Sequence, residues 1–555
     1  MRRQTNHLKE TEYDLLVVGG GIYGATAAWD AAQRGLRVAL IDKNDFASGT
    51  SFNSLKIIHG GLRYLQHADI VRMRESIRER RTLSRIAPHL VQPLPCVMPT
   101  KGHTLKGPEV MRIALLINDV MSMDRNKGVD PAKQLPAGRV ISKKSLLDIL
   151  PYLDPSDLNG GAIWYDAQMV NSERLLLSFI HSAVQEGADV ANYVQAVKPV
   201  MSDGRVRGML VRDVLEEKEF EINAKMTLNA AGPWVNQIIS SMKLNGHWKP
   251  VDFSTALNLV IDKPLGKDMA FGFYSKNEFK DSDALISKGS RLLFAVPWRG
   301  MTLIGTDHQP FDKNPDEYRI TEQDVLRFLN EINQAMPKAN IQRKQVVHAY
   351  GGLLPMAGVN EQTGDVRLEK HFDLIDHKER HNIPGMVSIV SVKYTTARGV
   401  SEKAVSLVTR YLNHESQSRS SSQPVWGGEL PDYHEYFVQQ AQFYKQMDEN
   451  ILRHLIDLYG THYKDVLHYC ENDPDLALPF PGTTTIKAQI TYAVQNEMAQ
   501  TLADVIMRRT ELGARGCPTK ECLNECAGLM ANKLNWSEER RNKEIESVER
   551  IYVTS

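Results

Sequence analysis

Near the N-terminus, the order of apolar and polar residues predicts a strand, a glycine turn, a helix and a second strand. The apolar run YDLLVV begins at residue 13 and leads into three glycines and an alanine-rich stretch that starts near Ile22. The next apolar run, VALI, ends in an acid, Asp42. Apolar runs of this kind are typical of buried parallel strands. We therefore expect a strand–turn–helix–strand unit over residues 13–45.

Further along the chain, the pattern predicts a second group of strands and then a helical part. The segment VQPLPCVMPT at 91–100 has the composition of an extended strand that leads into another domain. The apolar runs ALNLVID, RLLFAVPW and MTLIGTD, between residues 236 and 350, predict an antiparallel sheet. A polar stretch with serine and proline clusters follows at 413–430, and the remainder of the chain has helical periodicity.

Gly19, Gly21 and Gly24 have the G-x-G-x-x-G spacing of a dinucleotide-binding turn. Gly19 permits the tight turn, Gly21 lets a pyrophosphate approach the backbone, and Gly24 lets the helix pack closely on the strand. The start of the helix directs free N–H groups and partial positive charge at that pyrophosphate. Asp42 is placed to accept a hydrogen bond from a ribose hydroxyl, and it disfavours NADP because it would repel a 2′-phosphate. From this motif alone, NAD and FAD both remain open.

The segment FASGTSFNSLKIIHGGLRYLQHADI, at 46–70, decides between these cofactors. Its hydroxyl groups and backbone N–H groups can surround a second phosphate, and its glycine pair lets the main chain lie against a flat ring. The segment resembles that of the FAD-dependent respiratory glycerol-3-phosphate dehydrogenases, a family within the D-amino-acid-oxidase-like flavoproteins, whose pattern is S-S-K-L-I-H-G-G-L-R-Y-L. Other stretches that resemble this family are NAAGPWV at 229–235, AVPWRGMTLIGTDH at 295–308, SVKYTTARGVSEKAV at 391–405 and two C-terminal helical stretches at 492–513 and 535–548.

The resemblance covers essentially the whole chain and implies an α/β fold. We expect a discontinuous Rossmann-like FAD-binding domain, an antiparallel-sheet substrate domain and a C-terminal α-helical domain. The expected boundaries are 1–90, 160–235 and 350–412 for the FAD-binding domain, 91–159 and 236–349 for the substrate-binding domain, 413–430 for a linker, and 431–555 for the helical domain.

The resemblance also implies where FAD is bound. Val197 should touch the adenine ring from a hairpin at 188–213 that turns at Asp203-Gly204. The full set of expected cofactor contacts is Gly19, Gly21, Gly24, Asp42, Lys43, Thr50, Ser51, Lys56, His59, Gly60, Val197, Ala230, Gly232, Lys393, Tyr394 and Thr395.

The activity implied by the resemblance is the oxidation of sn-glycerol 3-phosphate, or a related small polyol phosphate, to dihydroxyacetone phosphate or its counterpart. Hydride would pass to flavin N5 and the electrons then to a quinone. This chemistry needs the alcohol carbon held over N5, a group that takes the hydroxyl proton, and positive charge near N1 and O2 of the flavin.

Two basic residues are predicted to act in the site, Lys393 at the flavin and Arg63 at the substrate. Lys393 heads the segment KYTTARG, in which Thr395 and Thr396 can cap a helix and aim its dipole at the pyrimidine edge of the flavin. The alternative is an ordinary capped helix with a surface lysine. Arg63, next to the glycine pair, can grip an anionic substrate through two parallel hydrogen bonds.

Two histidines are predicted to be proton acceptors. His59 precedes the glycine pair, and His308 follows a strand that should end at the active site. An imidazole near its ordinary pKa suits a general base. The alternative for each is a packing or hydrogen-bonding role.

The chain departs from the family at the phosphate clamp. Leu354 stands where the family has the arginine of a G-x-R-P turn, and leucine cannot pair with a dianion. Lys370 replaces a further arginine, and Thr255–Asn258 replace a K-G-S-H stretch. Without a cation to pair with the phosphate, the affinity for the substrate would fall on the order of a thousandfold. Cations that could compensate are Arg63, Arg291, Arg299, Arg367 and Lys370.

These departures leave two alternatives open. The first is a flavin enzyme that oxidises an α-hydroxy or α-amino acid, since a carboxylate needs only one arginine such as Arg63. The second is a flavin-binding protein whose catalytic pocket has decayed.

Composition excludes several classes of protein. Lys+Arg and Asp+Glu both total 67, which argues against a general nucleic-acid binder. Five cysteines in 555 residues give no disulfide framework and suit a reducing compartment. The leader MRRQTNHLKETE lacks the apolar core of a signal peptide, and the stretch 110–123 is too short and too charged to span a bilayer. We expect a cytoplasmic protein, with peripheral attachment to the inner face of the membrane left open.

Two further segments carry weaker predictions. Cys517, Cys522 and Cys526 lack a clear fourth ligand, so we predict reduced cysteines and no metal site. The arginine-rich stretch 72–85 predicts a solvated helix, and binding to anionic lipid is its alternative. The expected partners are a small anionic substrate and a quinone, and a homodimer is left open.

Overall fold

The structure is a computed structural model that describes residues 1–103, 106–242, 244, 248–278, 290–360, 364–430 and 432–554. Its strands are β1 (Glu12–Val18), β2 (Val38–Ile41), β3 (Ile57–Ile58), β4 (Val91–Lys101), β5 (Arg139–Ser142), β6 (Leu158–Met169), β7 (Asp189–Ala191), β8 (Val194–Ser202), β9 (Arg205–Asp213), β10 (Lys218–Asn229), β11 (Asp252–Ile261), β12 (Ala270–Glu278), β13 (Ser290–Trp298), β14 (Met301–Asp307), β15 (Pro310–Phe311), β16 (Val346–Val359), β17 (Val366–Leu368), β18 (Asp373–Asp376) and β19 (Met386–Val390).

The α-helices alternate with these strands and then follow them. They are α1 (Thr5–Glu10), α2 (Ile22–Gln33), α3 (Ile70–Ile86), α4 (Pro108–Met121), α5 (Lys143–Ile149), α6 (Ser172–Gln185), α7 (Val235–Ser241), α8 (Glu322–Ala335), α9 (His377–His381), α10 (Ala397–Tyr411), α11 (Tyr433–Phe443), α12 (Glu449–Tyr459), α13 (Tyr463–Asn472), α14 (Ala488–Asn496), α15 (Leu502–Asp504), α16 (Lys520–Leu534) and α17 (Glu538–Ile551).

The first sheet contains the predicted strand–turn–helix–strand unit. Strand β1 lies between β2 and β10 and is parallel to both. The order continues to β7 on one side and to β19 and β18 on the other, while the hairpin β8–β9 pairs with β10. Val18 is in register with Ile41 and with Asn229, so these three strands end at the same level. Ligands of open parallel sheets bind at this carboxyl edge.

The second sheet is mostly antiparallel and holds the three predicted apolar runs as β11, β13 and β14. Its order is β17-β16-β11-β14-β13-β12-β4-β6-β3, with β4 and β12 parallel. Helix α8 covers one face of this sheet through Val325, Phe328 and Ile332, which are buried in the same cluster as Leu257 and Leu259. The amphipathic spacing of the helix therefore closes the core of the second sheet.

Helices α2, α6 and α10 pack over one face of the first sheet. The alanines of α2 are buried, which allows close helix–sheet contact, and the rings of Trp29 and Phe179 lie 5.4 Å apart between α2 and α6. Residues 413–430 form neither helix nor strand. They nevertheless pack closely, because Ser420, Val425 and Trp426 are buried. Helices α11–α17 follow.

The predicted α/β architecture with a C-terminal helical part is confirmed. Residues 160–169 and 350–359, which the sequence assigns to the FAD-binding domain, instead pair within the second sheet. Strand β6 pairs with β4 along its length, and β16 pairs with β11 and then with β17, so both strands stay in that sheet to their ends. Among the described residues, no helix has both the length and the apolar character needed to cross a membrane.

Candidate active site

Two glycines of the turn after β1, Gly19 and Gly24, leave no room for side chains. Gly19 has a φ of +107°, and a Cβ atom on it would lie 2.5 Å from the carbonyl oxygen of Ala230. A Cβ atom on Gly24 would lie 1.8 Å from the carbonyl oxygen of Gly19. Helix α2 thus approaches β1 more closely than any other residue would permit. Gly21 is the N-cap of α2, so the N-terminus of this helix faces the turn.

Asp42 is held by backbone groups at the end of β2. Its carboxylate accepts hydrogen bonds from the N–H of Gly20 at 2.6 Å and from the N–H of Asn44 at 2.8 Å. Burial raises the pKa of Asp42 to about 6, against the opposing effect of these two hydrogen bonds. A carboxylate has about four acceptor sites, so two occupied sites leave it able to accept from a ribose hydroxyl.

A cavity of about 380 Å³ runs along the carboxyl edge of the first sheet, and we call it the cofactor cavity. Most of the predicted FAD contacts line it: Gly19, Gly21, Asp42, Lys43, Thr50, Ser51, Val197, Ala230, Gly232, Lys393 and Tyr394. Gly24 acts instead at the contact between helix and strand.

The segment after β2 closes over the start of α2. The Ser51 hydroxyl accepts a hydrogen bond from the N–H of Ile22 at 2.9 Å. The Thr50 hydroxyl donates to the carbonyl oxygen of Leu353 at 2.9 Å. The ammonium of Lys43 lies 4.2 Å from the ring centroid of Trp234 and pairs with a carboxylate of the second sheet's domain. This segment therefore joins the glycine turn to strand β16.

A larger cavity of about 1320 Å³ opens beside the first, and we call it the substrate cavity. All four predicted catalytic residues line it: His59, Arg63, His308 and Lys393. Lys393 and Tyr394 line both cavities, so the two cavities meet at this pair. A ring system at the end of the cofactor cavity would face a ligand in the substrate cavity at this junction.

His59 is held beside a buried carboxylate. Its Nδ1 lies 3.5 Å from Asp166, and its side chain is 49% exposed toward the substrate cavity. Asp166 also accepts from the N–H of Gly60 at 2.6 Å and from Arg80 at 2.8 Å. Burial alone would raise the pKa of Asp166, but the His59 contact and the Arg80 charge outweigh it and hold the pKa at about 2.

Gly60 lines neither cavity but is needed for this arrangement. A Cβ atom on Gly60 would lie 2.0 Å from the Arg80 guanidinium. Any side chain at this position would therefore push Arg80 away from Asp166. The N–H of His59 donates to the Thr395 hydroxyl at 3.2 Å, so the glycine segment is also tied to the loop that carries Lys393.

Lys393 is the basic group at the junction of the two cavities. Its Nζ lies 4.4 Å from the ring centroid of Tyr64, and its carbonyl oxygen accepts from the Tyr23 hydroxyl at 2.6 Å. Burial, followed by the nearby charge of Arg72, lowers the pKa of Lys393 to about 7. The prediction that Thr396 caps α10 through its side chain is wrong, because this N-cap residue makes no capping hydrogen bond.

His308 is half-buried and neutral. Its Nδ1 lies 2.9 Å from the carbonyl oxygen of Thr255, which can only accept, so Nδ1 carries the proton and Nε2 has the free lone pair. Burial lowers the pKa of His308 to about 4. At neutral pH the ring is therefore a hydrogen-bond acceptor through Nε2.

The structure places the Lys56 side chain away from the cofactor cavity. Its ammonium is fully buried, 3.1 Å from Glu173 and 2.9 Å from the Ser172 hydroxyl. The rings of Phe52, Trp298 and Tyr350 surround it. Glu173, Ser172 and these rings therefore bind the Lys56 ammonium group, which the sequence predicts to contact the cofactor.

The candidate phosphate-binding cations differ in availability. Arg299 lines neither cavity and pairs with Glu511 at 2.7 Å. Arg291 lines the substrate cavity but is neutralised by Asp307 at 2.8 Å and by Glu331. Arg63 is exposed in the substrate cavity, and no carboxylate within the described ranges pairs with it. Arg63 is therefore the best placed of these arginines to bind an anion. Arg367 and Lys370 also line this cavity.

Leu354 lines the cofactor cavity, as do Lys393 and Asn258. Its side chain is half-buried. The position that the family resemblance assigns to an arginine thus faces the cofactor cavity. No charge is present at this position.

Sequence reasoning missed Asp166, which orients His59 and Gly60. One feature could have revealed it: Asp166 is a lone acid in the otherwise apolar strand GAIWYDAQM, and buried carboxylates need partners. The Cys517, Cys522 and Cys526 cluster shows nothing comparable. Across the described part of the chain, no group of three or more His, Cys, Asp or Glu residues is arranged to hold a metal ion.

The comparisons with known proteins agree with this site. Residues 14–377 match the family described as FAD dependent oxidoreductase, and residues 418–541 match the C-terminal domain of alpha-glycerophosphate oxidase. The chain is 30% identical over 561 residues to a glycerol-3-phosphate dehydrogenase from Synechocystis sp., covering 98% of this chain and 97% of that protein. The chain belongs to the FAD-dependent glycerol-3-phosphate dehydrogenase family.

Two further relatives support this assignment. An aerobic glycerol-3-phosphate dehydrogenase from Staphylococcus epidermidis is 28% identical, covering 98% of this chain and 95% of that protein. The crystal structure of the glycerol-3-phosphate dehydrogenase from Bacillus halodurans, solved with FAD, superposes with a TM-score of 0.76 at 26% identity, covering 99% of this chain and 96% of that one.

The protein is therefore an FAD-dependent oxidoreductase. The residues present fit FAD on their own evidence, because Gly19 and Gly24 leave no room for a Cβ atom, the N-terminus of α2 faces the turn, and Asp42 keeps free acceptor sites. The prediction of FAD as the cofactor is confirmed.

Proposed function

We propose that the protein oxidises the secondary alcohol of glycerol 3-phosphate, or of a closely related small polyol phosphate, to the ketone. The observation that carries this proposal is the meeting of the two cavities at Lys393, with His59, His308 and Arg63 around the larger one. The names of the relatives support a small phosphate substrate.

Bound FAD would supply the two-electron acceptor for the hydrogen on the alcohol carbon. In our proposal, Arg63 and Lys393 bind the substrate's phosphate and orient the alcohol toward the cofactor cavity. His59 takes the hydroxyl proton at Nε2 while its Nδ1–H faces Asp166, which stabilises the imidazolium formed. His308 accepts a hydrogen bond from a second substrate hydroxyl through Nε2.

A substrate panel tests this proposal. The purified holoenzyme is assayed with an artificial electron acceptor against glycerol 3-phosphate, glycerol, lactate and a set of amino acids. We expect turnover with glycerol 3-phosphate and little or none with unphosphorylated glycerol, because glycerol lacks the phosphate that Arg63 and Lys393 would bind. Turnover only with carboxylates would favour an α-hydroxy or α-amino acid oxidase, and no turnover with any member would favour a decayed pocket.

We further propose that the electrons pass to a quinone and that helix α4 contacts the membrane on the cytoplasmic side. The apolar side chains of this helix lie at the mouth of the substrate cavity, where Val110 and Ala114 are part of the lining. Ile113 and Leu116 are 60% and 64% exposed, and Arg112 is exposed on the same helix. An apolar surface flanked by a cation is typical of helices that lie in a membrane interface.

The arginine-rich stretch 72–85 supports this role less than its sequence predicts. Arg74 and Arg81 both pair with Asp124, and Arg80 is buried against Asp166. These charges stabilise the fold around α3, so few remain for lipid headgroups. The apolar face of α4 is the stronger candidate.

Vesicle flotation tests this attachment. The Leu116→Glu variant should lose binding to vesicles that contain phosphatidylglycerol and phosphatidylcholine. The matched control is Phe443→Glu, because Phe443 is 78% exposed on the C-terminal helices. Equal binding by wild type and Leu116→Glu would overturn the role of α4.

A homodimer is a separate proposal, and light scattering should then give twice the chain mass of 62.6 kDa.

A further inference from the structure

A buried ion cluster ties the cofactor-binding segment to the C-terminal helices. Asp45 lies three residues beyond Asp42 in the segment that lines the cofactor cavity, and its carboxylate points away from that cavity and is fully buried. It accepts from Arg508 Nε at 2.6 Å and from the two Nη atoms of Arg509 at 2.9 and 2.7 Å. Two guanidinium groups from the far end of the chain thus grip one carboxylate.

Arg508 and Arg509 both lie in a π-helical turn. It spans Val505–Arg509, and the N–H of Thr510 donates to the carbonyl oxygen of Val505 at 3.0 Å. Consecutive residues of an α-helix project about 100° apart, so they seldom reach the same partner. In this wider turn, both Arg508 and Arg509 reach Asp45, and such turns are frequent at functional sites.

A second set of contacts holds the other side of the same segment. Asp504 accepts from the Tyr193 hydroxyl at 2.8 Å and from Arg508 at 2.7 Å. The N–H of Tyr193 donates to the carbonyl oxygen of Asn44 at 3.2 Å, and the next N–H along the chain donates to the carbonyl oxygen of Asp42 at 2.7 Å. The backbone of residues 42–45 is thus also held through Tyr193, whose hydroxyl shares Asp504 with Arg508.

We propose that Arg508 and Arg509 are positioning residues for FAD. By holding Asp45, they fix the segment that presents Asp42, Thr50 and Ser51 to the cofactor cavity. The C-terminal helices therefore contribute to cofactor affinity without touching the cofactor. This proposal depends on the FAD site and not on the substrate, so it can fail or survive separately from the proposed function.

The test measures FAD affinity on the full-length protein. FAD is released from the holoenzyme with mild acid and salt, and the apoprotein is titrated with FAD by flavin fluorescence. The variant Asp45→Asn keeps the volume of the side chain and removes its charge. We expect its FAD dissociation constant to rise about tenfold or more, because both charge-assisted contacts are weakened.

The matched control is Glu511→Gln. Glu511 also pairs with an arginine, Arg299, at the contact with the C-terminal helices, and it accepts from Asn171 at 2.8 Å. Glu511, Arg299 and Asn171 do not line the cofactor cavity. We expect Glu511→Gln to lower thermal stability with an unchanged FAD dissociation constant. An unchanged constant in Asp45→Asn as well would overturn the proposal and leave the cluster a purely structural role.

A second variant keeps the test decisive if Asp45→Asn does not fold. Arg508→Lys keeps the charge but loses the fork that reaches Asp45 and Asp504 together. We expect faster release of FAD from this holoenzyme, measured as the recovery of free flavin fluorescence after dilution. A release rate equal to that of wild type would contradict the proposal.

Discussion

The Nδ1 atom of His59 lies 3.5 Å from the carboxylate of Asp166. The two residues belong to different segments of the second sheet's edge, and the contact forms because the N–H of Gly60 donates to the same carboxylate. The imidazole is therefore oriented with Nδ1 toward an acid and Nε2 toward the substrate cavity. This arrangement allows His59 to take a proton and share the resulting charge with Asp166.

Replacing Asp166 by asparagine should lower both activity and stability. The change leaves Arg80 buried without its acid, which costs about 3–5 kcal/mol of folding free energy. It also removes the charge that stabilises a protonated His59, so we expect kcat to fall by about 100-fold or more. The measurements are chemical denaturation and steady-state turnover.

The control for this change is Glu79→Gln. Glu79 pairs with Arg398 at 2.5 Å in a buried contact that lines neither cavity. We expect a comparable loss of stability with kcat close to wild type. If both variants lose activity equally, the effect of Asp166 is structural and its role beside His59 is wrong.

Substrate affinity should depend on the protonation of Lys393. Its pKa is lowered to about 7 by burial, so the side chain is charged below this pH and neutral above it. The phosphate of the substrate stays dianionic above pH 7, since its second pKa is about 6. We therefore expect KM for glycerol 3-phosphate to rise about tenfold between pH 6.5 and 8, as the charged fraction falls.

The Lys393→Arg variant should remove this dependence, because a guanidinium stays charged throughout. Lys403→Arg is the control, since Lys403 pairs with Glu75 on the surface and lines neither cavity. A KM in wild type that does not change between pH 6.5 and 8 would show that Lys393 does not bind the anion.

Introducing an arginine at Leu354 should improve the use of glycerol 3-phosphate. The side chain would project from the wall of the cofactor cavity, which Lys393 also lines. A new charge-assisted contact to phosphate is worth about 1.5–3 kcal/mol, so KM should fall by roughly 10- to 100-fold. The control is Leu354→Met, which keeps the apolar character. An unchanged KM in Leu354→Arg would mean that the phosphate binds elsewhere in the substrate cavity.

The protein should lose stability in mild acid because several histidines are buried and neutral. Burial lowers the pKa of His89 to about 3, and it lowers the pKa of His181 and of His348 to about 4. In the unfolded chain these histidines bind protons below about pH 6.5. Above that pH they are neutral in both states, so the free energy of unfolding is not reduced by their protonation. It should fall by about 1.4 kcal/mol per pH unit for each histidine as the pH drops toward 4.

His89→Phe isolates one of these contributions. Neither ring nitrogen of His89 has a hydrogen-bond partner within the described residues. The free energy of unfolding of the variant, relative to that of wild type, should therefore be about 2 kcal/mol higher at pH 5 than at pH 7.5. His103→Asn, at an exposed position, is the control. A pH dependence identical in wild type and His89→Phe would contradict this account.

The parts of the site that depend on neighbouring residues could be predicted from the sequence. The spacing of Gly19, Gly21 and Gly24 fixes a local turn, and β1, α2 and β2 form where the apolar runs predict them. The apolar runs that form β11, β13 and β14 of the second sheet also predicted these strands. Periodicity and turn chemistry act over a few residues, so a single sequence carries them.

The parts that depend on distant contacts could not be predicted. Lys56 stands among hydroxyl residues and has the appearance of a phosphate ligand, but Glu173, 117 residues away, takes its charge. Asp45 and Arg509 are 464 residues apart, and no local pattern connects them. Arg74 and Arg81 form a solvated face by sequence, but the fold brings Asp124 between them. Ion pairs of this kind are set by topology.

The most direct test of the central claim is anaerobic reduction of the bound flavin by substrate. The purified protein is mixed with glycerol 3-phosphate in the absence of oxygen, and the flavin absorbance near 450 nm is followed in a stopped-flow instrument. We predict that glycerol 3-phosphate bleaches the flavin and that glycerol at the same concentration does not. A flavin that stays oxidised with glycerol 3-phosphate, while dithionite still reduces it, would contradict the account.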